Sequence, residues 1–339
     1  MKIDAQLVDI PLQDMEAEAE RYERMGFDGL WSRENKHDPY LPLTLAARVT
    51  SRISLGTNVA IALARSPFST AQIAWDLQDL SGGRMNLGLG TQVRAHIERR
   101  FSMPFEHPAA RIREYVDCVR AVWDSFQNNS QPNYEGEFYR FKLNAPAFIS
   151  GPLDNPHIPI HLAGVNPTMV RTAGEVADGF HVHPFHSVEY LREVVLANLD
   201  EGARKRGRSA ADIELSGPIF TVTADTQAAQ DTELEAIRSK AAFYGSTPNY
   251  RRVLAFHGLE ELGKELSVLA RRGEWDAMSS KLPDSMLERM VIVAKPGEVA
   301  AKIRERYAGI LHRVSLYHAI PRDQPDGTWQ AMTAAFHAA

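Results

Sequence analysis

Three short stretches of this chain carry side chains that could do chemistry. Glu34 and His37 lie three residues apart in the polar run SRENKHDP, a carboxylate near an imidazole. An imidazole titrates near neutral pH, so His37 is the first candidate for moving a proton, with Glu34 to orient or tune it. A lone histidine in a loop also commonly just faces solvent. His181 and His183 stand two apart, so on a strand both point to one face. That spacing could hold a metal, which would need further carboxylate or histidine ligands, and only scattered ones are available. Contact with a cofactor and a hydrogen-bonded place on a rim are the other readings of the pair. The run RAHIERR, Arg94 to Arg100, could meet an anionic ligand tail or form a solvated face.

A fourth stretch offers backbone rather than side chains. In HLAGVNPTMV a glycine stands at a strand end, and Pro167 is a favourable first helical residue. The N–H groups of Gly164, Val165 and Asn166 would then face outward at a helix start, where a phosphate is favoured. An ordinary turn in which Asn166 caps the helix is the alternative.

Strand and helix patterns alternate along the chain and place these stretches. The predicted strands are Lys2 to Ile10, a short one at Leu30-Trp31, ISLGTNVAIAL, Met85 to Gly90, Ile158 to Gly164, Phe180 to His183, Ile213 to Thr223 and Leu311 to His318. Helical spacing separates them. Its clearest case is the face Ile112, Tyr115, Val116, Val119, Val122, Trp123 and Phe126. Eight strands alternating with helices predict a closed (β/α)8 barrel, with residues 1–339 as a single domain. Thr226 to Met290 is mostly helical and too long for one barrel helix, so a helical insertion after strand seven is expected. Active sites of such barrels lie at the C-terminal strand ends. That rule singles out Glu34 and His37 after strand two, Asn58 and Val59 at the end of strand three, Gly90 and Gln92 after strand four, Gly164 to Asn166 after strand five, and His181 on strand six.

Composition narrows the function classes. With 339 residues, 44% hydrophobic content and a net charge of −5 spread along the chain, no basic block suggests a nucleic-acid partner. No apolar run approaches the roughly 20 residues needed to span a bilayer. The start MKIDAQLVDI reads as a strand rather than a secretion signal, so a cytoplasmic protein is expected. Cys118 is the single cysteine, which excludes a disulfide framework and a thiolate zinc site within one chain.

The segments ERMGFDGLW, ISLGTNVAIALARSP, LSGGRMNLGLGTQ and HLAGVNPTMVRTAGEVADGF, in this order and spacing, resemble the bacterial luciferase-like superfamily. The resemblance spans nearly the whole chain. ERRFSMPF and FYGSTPNY are similar to a subgroup assigned to the deazaflavin coenzyme F420. The resemblance implies a flavin or deazaflavin ring over the barrel mouth and a cis peptide at Asn58–Val59 pressing against it. It also implies the cofactor phosphate on Gly164, Val165 and Asn166. Two departures stand out. Family members often show Glu-His-His or Asp-His after strand two, where this chain has Glu34-Asn35-Lys36-His37. Some deazaflavin dehydrogenases carry a glutamate just after strand four, where Gln92 and Val93 cannot do acid–base work.

The resulting expectation is an oxidoreductase using coenzyme F420 for hydride transfer to or from a small organic substrate. Gln92 and His96 are further pocket candidates, and the helical insertion, with Tyr244, Gly245 and Ser246, is expected to cover the site as a lid. Members of the family are often dimers. The alternatives are an FMN-dependent monooxygenase of the same fold, a flavin-binding protein without turnover, and a metal-dependent barrel hydrolase built on His181 and His183.

Overall fold

Ile3, Ala5 and Leu7 alternate with Asp4 and Gln6, and all five are buried. The first strand therefore has an apolar face and a polar face, neither of them wet. A closed barrel wrapped by helices hides both. The computed structural model describes residues 1–224, 226–318, 320–322 and 324–338, and it has this form. Its barrel strands are β1 (Lys2–Leu7), β2 (Gly29–Ser32), β3 (Ser54–Thr57), β4 (Met85–Gly90), β5 (Ile160–Ala163), β6 (Gly179–His181), β7 (Glu214–Val222) and β8 (Arg313–Leu316). Each pairs in parallel with the next, and β8 returns to β1 with Ile3 opposite Val314, which completes the ring.

The apolar faces point outward into the helical layer. Ile112, Tyr115, Val116, Val119, Val122, Trp123 and Phe126 are all buried on the helix Pro108–Asn128, as their spacing predicts. Cys118 lies on the same helix, and burial pushes its thiol up to about 11, so it packs as a small apolar group. Two helix starts follow sequence rules closely. Ser66 accepts from Ser69 N ahead of Pro67, and Asn166 accepts from Met169 N ahead of Pro167.

The insertion after β7 comprises the helices Gln227–Ser246, Arg251–Phe256, Glu260–Arg272, Trp275–Lys281 and Asp284–Met290. Several elements escaped the sequence reading, the short helix Arg94–Arg99 among them. Val291–Val293 adds a short parallel strand beside the end of β7, and Asp326–His337 forms a last helix. That helix closes the N-terminal end of the barrel, where Thr333 hydrogen-bonds Met25 O and His337 meets Asp28 at 3.1 Å. Strand three is also interrupted. Its last part, Ala60–Ile61, pairs with Leu89 and Gly90 beyond a cis peptide at Asn58–Val59. No helix among the described residues is long and apolar enough to cross a membrane.

The lumen is filled by polar and aromatic groups rather than by the branched apolar layers usual in such barrels. Trp31 on β2 lies 4.9 Å from the His181 ring on β6 and 5.8 Å from the His161 ring on β5. These strands are not neighbours of β2, so the contact runs through the lumen. Gly56 makes room for it, since a Cβ there would sit 2.2 Å from the Trp31 ring. Beneath Trp31, the Asp4 carboxylate accepts from Arg313 Nε (2.8 Å), Arg313 Nη2 (2.7 Å) and Trp31 Nε1 (2.7 Å). The side chains of Arg313 and Asp4 are 3% and 1% exposed.

Arg313 Nε also lies 3.9 Å from Glu214, but Asp4 is its hydrogen-bonded partner, so removing one member would leave the other charge poorly compensated in the lumen. Asp4→Asn and Arg313→Met should each lower stability by about 3–5 kcal/mol, read as a fall in the urea midpoint. The double variant should lose less than the sum of the two. A loss below about 1 kcal/mol in both single variants would show that the pair does not hold the ring closed.

Candidate active site

Strand parity extends the inward faces beyond the strand ends to the C-terminal mouth. Two residues past Asp4 comes Gln6, past Trp31 comes Arg33, past His181 comes His183, and past Ser315 comes Tyr317. The structure brings these together. Arg33 Nη2 donates to Gln6 Oε1 at 3.3 Å, and Gln6 Nε2 donates to Ser315 Oγ at 2.8 Å. The Tyr317 hydroxyl meets that of Tyr244 at 2.7 Å, and Phe220 packs 4.7 Å from the Tyr317 ring. His183 stacks on Tyr250 at 4.1 Å and meets Tyr244 edge-on at 4.5 Å. Tyr244 belongs to the first insertion helix and Tyr250 to the turn after it, so the insertion reaches over the mouth.

Burial sets the charge states. It is the largest cause lowering His161 to about 4, His183 to about 3 and His186 to about 4, and it holds His181 well below the ordinary value of 6.5. All four are neutral imidazoles at pH 7. His181 Nδ1 pairs with Ser216 Oγ at 2.6 Å, and His186 bridges His183 O (2.7 Å) to the Tyr307 hydroxyl (3.2 Å). Arg33 is half-buried, and loss of water lowers its pKa while Tyr317, Tyr244 and Asp9 pull the other way.

Glu34 and His37 are not partners. The Glu34 carboxylate accepts from Ile61 N (2.7 Å) and Arg65 Nη1 (2.5 Å), and Arg65 Nη2 reaches Asp38 at 2.8 Å. Glu34 therefore braces both ends of the loop carrying His37 through Arg65, instead of orienting the imidazole directly. A guanidinium fork spanning two carboxylates makes charge-assisted, bidentate-type bonds with both. His37 itself is exposed, with Lys36 tied to Asp9 at 2.5 Å beside it.

The strand-three candidates join this brace. Glu34 N donates to Val59 O at 3.3 Å, Asn58 N to Ser32 O at 2.6 Å, and a Cβ on Gly90 would sit 2.7 Å from the Val59 side chain. Glu34, Asn58, Val59 and Gly90 thus form one wall. Gly164 and Val165 form another, lining a small pocket with His183, Tyr190 and Tyr250. Asn166 caps the following helix, yet among the described residues the backbone N–H groups of Gly164, Val165 and Asn166 donate to no protein acceptor. Both readings of that segment are therefore compatible.

Gln92 is exposed at a positive φ of 57°, and its amide oxygen accepts from Val93 N. His96 is half-buried on the short helix Arg94–Arg99. His181 departs from its expected place. It lies sealed in the lumen one layer below the mouth, and His183 occupies the level where a ligand could touch it. Among the described residues no group of three histidine, cysteine or acidic side chains could hold a metal ion. The residues missed by the sequence reading are Arg33, Gln6, Tyr317 and Arg65. For the first three the signal existed, because each continues the inward parity of a strand. Arg65 had none.

A family model described as luciferase-like monooxygenase matches residues 2–313. An uncharacterized protein of Mycobacterium tuberculosis is 45% identical over 292 residues, 86% of each chain. The 5,10-methylenetetrahydromethanopterin reductase of Methanopyrus kandleri is 28% identical over 299 residues, 83% of this chain and 81% of that one. Among solved structures, the coenzyme F420-dependent tetrahydromethanopterin reductase of Methanopyrus kandleri superposes with a TM-score of 0.79 at 23% identity. That match covers 99% of this chain and 98% of the other, and it bears on the fold.

The buried histidines make stability depend on pH. Below about 6.5 the unfolded chain takes up protons that the folded chain refuses, so stability falls as pH drops towards about 4 and levels off beneath the folded values. Each histidine adds a slope of at most about 1.4 kcal/mol per pH unit in that window. Urea midpoints at pH 7, 6 and 5 should decline steadily, and His183→Phe should flatten the decline. A midpoint unchanged from pH 7 to pH 5 would rule this out.

Proposed function

The chain belongs to the luciferase-like monooxygenase family, and on that premise we propose that it is an oxidoreductase holding a flavin-type cofactor across the barrel mouth. The cofactor is coenzyme F420 in preference to FMN, and the reaction is hydride transfer to or from a small organic substrate. The observation that carries this reading is the set of N–H groups at Gly164, Val165 and Asn166, unpaired at the start of the ten-residue helix Pro167–Val176. They suit a cofactor phosphate by hydrogen bonding and by the helix dipole.

The rest of the mouth fits a flat ring. A side chain at Gly90 would collide with Val59, so the glycine lets Val59 lie against the end of β4, and Asn58 and Val59 would back the ring there. A bound deazaflavin supplies a ring carbon able to take or give hydride, chemistry that none of the protein's side chains offers. The chain's own contribution is position and electrostatics. Glu34, Arg65 and Asp38 hold the loop bearing His37, and His37 would move a proton at an imidazole nitrogen. Tyr244 and the helix Gln227–Ser246 cover the opening and exclude water.

The F420 preference draws on the subgroup resemblance and on the named cofactor of the superposed reductase, which is a property of that protein. It draws also on the basic run, where Arg99 and Arg100 are exposed and could meet an acidic tail that FMN lacks. One observation favours FMN and a monooxygenase reaction instead. Arg94 is engaged by Glu98 at 2.6 Å and lies over Phe105, so part of that run is already neutralised.

Side-by-side titration of the purified protein should show F420 binding at least about tenfold tighter than FMN, about 1.4 kcal/mol. Equal or reversed affinities at moderate salt would sink the deazaflavin preference and promote the monooxygenase. With the cofactor bound, His37→Ala should lower turnover by roughly 10²–10³ while cofactor affinity barely moves. Near-normal turnover in that variant would remove His37 from the chemistry, and the absence of turnover in the wild type with any acceptor would favour a carrier.

A further inference from the structure

Most arginines withdrawn from solvent in this chain are answered by the protein. Arg313 is held by Asp4, Arg65 by Glu34 and Asp38, and Arg84 by the carbonyls of Ala47, Thr50, Ile53 and Ser81. Arg33 differs. It is half-buried at the mouth, and among the described residues it has no ion-pair partner. Its one hydrogen bond, from Nη2 to Gln6 Oε1 at 3.3 Å, goes to a neutral amide. A guanidinium carries five N–H donors, so most of this fork has no protein acceptor. Taking a cation out of water without an anion is costly, and a ligand that brings the anion recovers that cost.

The surroundings define the ligand. Tyr317, Tyr244 and the exposed carboxylate of Asp9 stand within electrostatic range of Arg33; Asp9 is paired with Lys36 at 2.5 Å, and the two tyrosines share one hydrogen bond at 2.7 Å. One of the two hydroxyls donates to the other, which leaves the acceptor's own proton free for a third group. A fork and one hydroxyl proton match the two oxygens and single charge of a carboxylate, whereas a phosphate dianion would keep an unbalanced charge. The walls are aromatic and uncharged: Phe220, Tyr250 and neutral His183. They suit an apolar or aryl body attached to the carboxylate.

We propose that Arg33, with the Tyr244–Tyr317 hydroxyl pair, anchors the carboxylate of a small organic acid, and that such acids are the substrate class. This rests on the oxidoreductase reading for its mechanism, though the anchor stands on its own geometry. Because Tyr244 comes from the insertion and Arg33 from the barrel, the same carboxylate would tie the cover to the mouth.

The test uses the full chain, with and without saturating cofactor, and calorimetric titration of phenylacetate, its neutral analogue phenylacetamide, and phenyl phosphate. Wild type should prefer phenylacetate to phenylacetamide by about tenfold or more. Arg33→Met should bring the two within about twofold, and Arg33→Lys and Tyr317→Phe should each retain part of the preference. F420 and FMN affinities, read from absorbance, should change by less than about twofold in Arg33→Met. An unaltered preference in Arg33→Met, no measurable phenylacetate binding to wild type, or tighter binding of phenyl phosphate would each overturn the proposal. So would a loss confined to the cofactor, which would make Arg33 a cofactor contact. If neither cofactor binds wild type while the phenylacetate preference still follows Arg33, the cofactor reading falls and the anchor remains.

Discussion

One carboxylate organises the inside of this barrel. Asp4, near the start of the chain, receives two N–H bonds from Arg313 on the last strand and a third from the Trp31 indole. Charge-assisted bonds of this kind are short and directional, so they hold β8 against β1 in register while placing Trp31 across the lumen. With that layer filled by an ion pair and an indole, the next inward residues of the same strands have nowhere to go but the mouth. Gln6, Arg33 and Tyr317 are therefore positioned from below, by packing, before any loop contributes.

The mouth has a second support that acts from the side. Arg65 joins Glu34 to Asp38, and Glu34 reaches through both its backbone and its carboxylate to Val59 and Ile61. The loop after β2 and the broken end of strand three thus behave as one piece. A loop braced at both ends loses fewer degrees of freedom when a ligand arrives, which is how rigid scaffolds make loops useful for binding.

Electrostatically the lumen and the mouth follow different rules. Below, the charge of Arg313 is matched by Asp4, and the histidines are kept neutral by burial. Above, Arg33 keeps a charge among aromatic rings and hydroxyls, with Asp9 acting on it electrostatically but, among the described residues, no carboxylate within ion-pairing distance. A half-buried cation with no ion-pair partner gives discrimination by charge, because a neutral ligand group cannot replace the water that Arg33 has lost.

Local pattern in the sequence determined the alternation of eight strands with helices, the helical insertion, the capped helix start at Asn166–Pro167 and the inward parity of each strand. These follow from hydrophobic period and turn chemistry, which act over a few residues and are visible in the chain itself. Family motifs added the cis bond at Asn58–Val59. The short strand Val291–Val293 and the last helix were not legible, since three apolar residues after a helix carry no periodicity, and the closing helix contributes to a surface that exists only once the ring has formed. The same limit applied to the site. Spacing suggested that Glu34 served His37, but the tertiary structure gave Glu34 to Arg65 from the next strand's loop and left His37 in solvent. It sank His181 one layer below the mouth and raised Arg33 into view. Which charged groups meet depends on how distant strands lie across a closed barrel, and sequence distance carries no information about that.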